Sequence, residues 1–147
     1  MVEPVMSVIT LGARDLTKLR DFYAALGWTA AIDLDDFCAF ETRGAVVALF
    51  PVEKLAAEAS VEPAPAESRL DVALAINVDS REQVDEIIDQ ARAAGARITT
   101  EPKKPPEFDG RHGHFADPED NYWEVVWLGD GPSKMAELIR RAQGKGA

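Results

Sequence analysis

Hydrophobic and polar positions change period several times along this chain, and the changes fall in two similar rounds. Val5–Leu11 carries β-branched side chains and no charge, the pattern of a buried strand. Asp15 stands where a helix N-cap belongs. Leu16, Leu19, Phe22, Tyr23 and Leu26 follow at helical spacing, and Gly27 closes the helix. Three short strands are predicted next, Trp28–Leu34, Phe37–Thr42 and Ala45–Phe50, with turns at Asp35-Asp36 and Arg43-Gly44. Glu53–Arg69, in a stretch broken by Pro51, Pro63 and Pro65, reads as a short helical turn and then a mobile linker. The pattern restarts with a strand at Leu70–Val78. Asp79 or Ser80 caps a helix that places Val84, Ile87, Ile88, Ala91 and Ala94 on one face, and Gly95 ends it. Ala96–Thr100 is the next strand, and a loop with three prolines, Glu101–Gly110, follows.

The second round ends in the most informative stretch, RHGHFADPEDNYWEVVW at Arg111–Trp127. It reads as a β-hairpin: a strand over His112–Ala116, a turn made by Asp117-Pro118-Glu119-Asp120-Asn121, and a returning strand over Tyr122–Trp127. Pro presets φ at the second turn position, and Asp and Asn tolerate left-handed backbone. Side chains alternate along a strand. Tyr122, Glu124 and Val126 therefore share one face, and Trp123, Val125 and Trp127 the other. If Phe115 joins the two tryptophans in the core, His112 and His114 both fall on the Glu124 face. Three ionisable groups then lie on one side of one hairpin.

The two rounds match in spacing, with Asp15 and Asp79 at the helix starts and Gly27 and Gly95 at the helix stops. Internal duplication of this kind sets the fold. The class is α+β, with two tandem βαβββ modules (residues 5–52 and 70–128), a linker at 53–69 and a C-terminal helix within 132–143. That helix, Pro132–Arg141, is expected to bury Met135, Leu138 and Ile139. The chain of 147 residues is a single domain on this reading.

Charge and composition narrow the function classes. A net charge of −10 argues against nucleic acid and against anionic membrane surfaces as partners. No run of 18 apolar residues occurs, and the start, Met1-Val2-Glu3-Pro4, lacks the basic residues of a signal peptide. One cysteine, Cys38, permits no internal disulfide, fits a reducing compartment and sits in an apolar stretch as a core residue. A cytoplasmic protein is the expectation.

Two βαβββ modules ending in a DP-x-x-N-x-W-E hairpin resemble the vicinal oxygen chelate superfamily, which includes glyoxalase I, extradiol dioxygenases and the bleomycin- and fosfomycin-resistance proteins. The stretches that carry the resemblance are TLGARDLTKLRDFYAALGW (Thr10–Trp28), AGARI (Ala94–Ile98) and FADPEDNYWEV (Phe115–Val125). It implies curled mixed sheets around a ligand cavity and, by analogy with members that pair such modules, a homodimer. Metal-using members take one ligand from the first strand of each module and a carboxylate from the last strand of each. Carried over by position, Glu124 matches. The first-strand places fall on Val8 and Val72, the remaining one lies within Ala45–Phe50, and none of these side chains can ligate. Asp71 would face away from the Val72 side.

A catalytic divalent ion needs about three protein ligands. The reading is therefore a metal-independent member, without a cofactor, that binds a small aromatic or amphipathic molecule, as in drug sequestration. His112, His114, Glu124, Tyr122 and Phe37 are the candidate binding residues. No nucleophile stands beside the histidines, so no catalytic residue is assigned. The alternative is a lyase, isomerase or dioxygenase with an atypical metal site at His112, His114 and Glu124, since imidazole and carboxylate suit Zn, Fe or Ni. A third reading is an interaction module whose cavity is filled by its own aromatics. Trp123 and Trp127 are assigned to the core, and Arg111 to solvent.

Overall fold

Each round of the sequence pattern folds as a βαβββ module in the computed structural model, which describes residues 1–67 and 72–145. The chain divides into two units, residues 1–67 and 68–147. In the first, β1 (Val8–Ala13), α1 (Leu16–Ala25), β2 (Ala30–Leu34), β3 (Phe37–Phe40) and β4 (Val46–Pro51) are followed by α2 (Val52–Ala59). In the second, β5 (Ala73–Asn77), α3 (Arg81–Ala93), β6 (Arg97–Lys103), β7 (Arg111–Ala116) and β8 (Tyr122–Trp127) are followed by α4 (Lys134–Ala142). The sheets run β1-β4-β3-β2 and β5-β8-β7-β6. The first pair of each is parallel and the others antiparallel, the same mixed topology twice.

The helix ends repeat as the sequence indicates. Asp15 accepts from the Lys18 N–H at 3.0 Å. Ser80, rather than Asp79, caps α3 and forms a capping box with Gln83. Gly27 (φ +92°) and Gly95 (φ +103°) take the left-handed conformation that ends each helix. In both modules the next residue closes the turn: Trp28 donates to the Tyr23 carbonyl and Ala96 to that of Ala91. Leu19, Phe22 and Tyr23 are buried from α1, and Val84, Ile88 and Ala91 from α3. Full burial of Leu19, Phe22, Val84 and Ile88 contributes about 1.5–3 kcal/mol each.

Several elements depart from the sequence pattern. The first strand begins at Val8, and Val8, at its start, is half exposed, whereas Leu11 and Ala13 further along are buried. Trp28 precedes β2 and stacks on Tyr23 at 5.2 Å. The start of the expected mobile linker is a helix, α2, and the Arg14 guanidinium then donates to the carbonyls of Ala64 and Pro65 at 2.7 and 2.8 Å. Strand β5 begins at Ala73; Leu70 and Asp71 lie outside the described residues. Strand β6 runs on through Pro102, which a sheet edge tolerates because the missing N–H has no ladder partner to lose. Helix α4 buries none of its side chains among the described residues. Met135 and Leu138 are exposed and Ile139 is half-buried, so the apolar stripe read from the sequence has no cover. No described helix is long and apolar enough to cross a membrane.

Candidate functional site

The hairpin forms as read, with Tyr122–Trp127 returning along β7 in a regular antiparallel register. Its turn is built around Asp117, the one buried charged side chain among the described residues. One carboxylate oxygen accepts from the Glu119 and Asn121 N–H groups, each at 2.9 Å, and the other from the Asn121 amide at 2.8 Å. Asp120 donates its N–H back to the Asp117 carbonyl and has φ +60°. The DP-x-x-N pattern is therefore a hydrogen-bonded turn that fixes the strand register, and through it which side chains face each other.

That register sets His114 opposite Glu124, His112 opposite Val126 and Ala116 opposite Tyr122. Directly paired residues share a face. Phe115 and Trp123 take the other face, buried and stacked at 6.3 Å. Both histidines and Glu124 consequently meet. His112 Nδ1 is 2.8 Å from Glu124 Oε2, and His114 Nε2 is 3.5 Å from the same oxygen. The two imidazoles lie edge to face at 4.9 Å. One atom from each of the three residues falls within a group spanning 4.8 Å. His112 Nε2 and His114 Nδ1, the ring nitrogens remote from Glu124, are buried without a hydrogen-bond partner. Glu124 itself stays partly open, with 28% of its side chain accessible.

Burial holds the His114 imidazole below its usual pKa of 6.5. The Glu124 charge opposes that shift, while His112 and Lys103 add to it. Near neutral pH His114 is uncharged. Because the folded protein takes up this proton less readily than the unfolded chain, the His114 contribution to stability is fully present above pH 6.5. It shrinks as the pH falls below that value, until the folded imidazole is itself protonated. In urea denaturation, His114→Gln should flatten the loss of stability between about pH 6.5 and 5 relative to the unaltered protein. Parallel curves for the two proteins would contradict it.

Tyr122 lies on the Glu124 face, half-buried, with its hydroxyl 3.5 Å from an Arg97 guanidinium nitrogen that also pairs with Asp120 at 2.9 Å. Phe37 belongs to the first module, where its ring meets that of Phe50 edge-on at 6.0 Å. The first module has no comparable polar group: strand β3 sets Ala39 opposite Ala48, as β7 sets His114 opposite Glu124. On β5 the residue beside Glu124 is Ala75, and Val72 precedes the strand, so the first-strand place shifts along the chain and still offers no ligand.

Two assignments from sequence do not hold. Arg111 is no solvated side chain: its Nε and one terminal nitrogen both donate to Asp85 Oδ1, at 3.0 and 2.8 Å, across to α3. Trp127 is only half-buried and lines an open cavity at the end of the hairpin. Cys38 is fully buried, as expected, and burial pushes its thiol pKa up, opposed by Arg20.

Comparison with known proteins sets this geometry in context. Residues 6–125 match the family model described as the Glyoxalase/Bleomycin resistance protein/Dioxygenase superfamily. No curated protein matches the chain. Among solved structures, a glyoxalase-related enzyme from Fulvimarina pelagi is 28% identical, with TM-score 0.78 over 85% of this chain and 88% of that one. A glyoxalase/bleomycin resistance protein/dioxygenase from Nocardioides is 26% identical, with TM-score 0.75 over 91% and 89%. A lactoylglutathione lyase from Agrobacterium tumefaciens shares the fold at 19% identity, with TM-score 0.65 over 86% and 95%.

Proposed function

Since the chain belongs to the glyoxalase/bleomycin resistance protein/dioxygenase superfamily, we propose that it binds a small aromatic or amphipathic molecule on the Glu124 face of its second module, without a metal ion. The observation that carries this reading is the sharing of one Glu124 oxygen by two imidazoles. His112 is hydrogen-bonded to the carboxylate at 2.8 Å and His114 lies 3.5 Å from the same oxygen, which orients the Glu124 side chain. With His114 neutral, the group favours a ligand that brings a cation or a hydrogen-bond donor. Tyr122 supplies an aromatic flank on the same face. Reversible sequestration of such a molecule needs no nucleophile, and none stands at the site.

The remote ring nitrogens argue in the same direction. If His112 Nδ1 and His114 Nε2 bound a metal, each remote nitrogen would carry the proton. Ligating histidines almost always donate that proton to a partner. Here both remote nitrogens are buried and unpartnered. A neutral imidazole donating to Glu124 leaves only a lone pair there, which is the less costly atom to bury unpaired.

A second reading, a metal-dependent lyase, isomerase or dioxygenase, rests on one specific observation. Ligands about 2.0–2.2 Å from a common ion lie roughly 3–3.5 Å from each other, close to the 2.8 and 3.5 Å measured here. In that case His112, His114 and Glu124 would hold a divalent ion with positions left open, and the ion would supply Lewis-acid or redox chemistry. Plasma mass spectrometry of protein prepared without a histidine tag separates the two. Metal-free binding predicts far less than one ion per chain, unchanged in Glu124→Ala. One ion per chain that disappears in Glu124→Ala would establish the second reading.

A further inference from the structure

We propose that the second module carries another ligand site, for a planar aromatic carboxylate, at the end of the hairpin where Arg111 and Trp127 face each other. These two residues pair across β7 and β8 on the face that packs against α3, opposite to the face of Glu124. A cavity of about 570 Å³ opens there, within the range of about 300–1,000 Å³ common for small-molecule sites. It goes beyond the function proposed above and does not depend on it.

The walls are built rather than merely left open. A side-chain carbon on Gly110 would lie 2.2 Å from the Trp127 carbonyl oxygen and 2.7 Å from the Phe108 ring. One on Gly129 would lie 2.3 Å from the Asp109 carbonyl oxygen. The loop before β7 and the chain leaving β8 therefore touch backbone to backbone, which fixes Phe108 and Trp127 at the rim. Two aromatic rings give a planar ligand flat apolar surface to lie against.

The charges select the ligand. Arg81, Lys104 and Arg111 all line the cavity. Arg111 is held by Asp85, whereas Arg81 and Lys104 form no ion pair or side-chain hydrogen bond among the described residues. Asp109 and Asp130 also border the space; with Arg111 neutralised by Asp85, the Arg81 guanidinium and the Lys104 ammonium are the cations left to take a carboxylate. A guanidinium and an ammonium beside aromatic walls match an aryl carboxylate: the charge-assisted hydrogen bonds go to its oxygens and the rings meet its flat body.

Isothermal titration calorimetry with naphthalene-1-carboxylate and its uncharged carboxamide tests the site. The carboxylate should bind one per chain with Kd on the order of 100 μM, and the carboxamide about tenfold or more weaker. Arg81→Ala/Lys104→Ala should weaken the carboxylate by at least about tenfold. Both side chains are exposed and unpaired, so the variant should keep its thermal midpoint. Trp127→Leu should weaken both probes together. Equal binding of the two probes, unchanged binding in the double variant, or binding abolished instead by Glu124→Gln would each overturn the proposal.

Discussion

Replacing Asp117 with alanine should destabilise the protein by about 3–4 kcal/mol, the largest effect expected of any single polar substitution in the second module. The carboxylate is buried, with 3% of the residue accessible, and it accepts three hydrogen bonds within the turn. Hydrogen bonds to a charged group contribute about 1.5–3 kcal/mol each, but the freed N–H groups of this half-buried turn regain water in part, which reduces the sum. Asp117→Asn keeps one good acceptor and should cost about half as much. Urea denaturation of the two variants measures this. A loss below about 1 kcal/mol in Asp117→Ala would show that the turn holds its register without the side chain. The substitution should also separate His114 from Glu124, because the turn fixes the pairing of β7 with β8.

The second large effect is on binding. Glu124→Ala should weaken a cationic aromatic probe such as 1-naphthylmethylamine about 30- to 100-fold, the usual consequence of deleting one partner of a partly buried charge pair. The folded state should change little by comparison, since Glu124 is partly open, with 28% of its side chain accessible. Glu124→Gln keeps the shape and an acceptor oxygen and should retain hydrogen bonding while losing the charge. It therefore belongs between the native protein and alanine. Equal affinity in all three would remove Glu124 from the site.

The sequence made the hairpin and its faces legible for simple physical reasons. A two-residue period leaves one free choice, which face is buried, and the run of Phe115, Trp123 and Val125 decides it. Once it is decided, His112, His114 and Glu124 must meet, as they do. The helix starts and stops were equally local, set by Asp15, Ser80, Gly27 and Gly95. What failed depended on neighbours distant in the chain. Trp127 alternates with the core face yet is the last residue of β8, where it lines a cavity with Arg81 of α3 and Phe108 of the preceding loop. Arg111 found Asp85 on a helix 26 residues away, which no local pattern announces. The stripe of Met135, Leu138 and Ile139 has helical spacing, but amphipathicity states only that a face is apolar and not that anything covers it. The cavity beside Gly110 was missed because close backbone approach leaves no hydrophobic period; Gly110 and Gly129, which flank the ends of the hairpin, were the available signal.

Titrating 1-naphthylmethylamine into protein stripped of metal by a chelator, with 1-naphthalenemethanol as the uncharged control, tests metal-free binding at Glu124 most directly. The proposed function predicts that the amine binds the stripped protein at least about tenfold more tightly than the alcohol and that adding Zn, Fe or Ni leaves its affinity unchanged. Binding of neither probe until a divalent ion is restored would contradict it and make the three residues a metal centre.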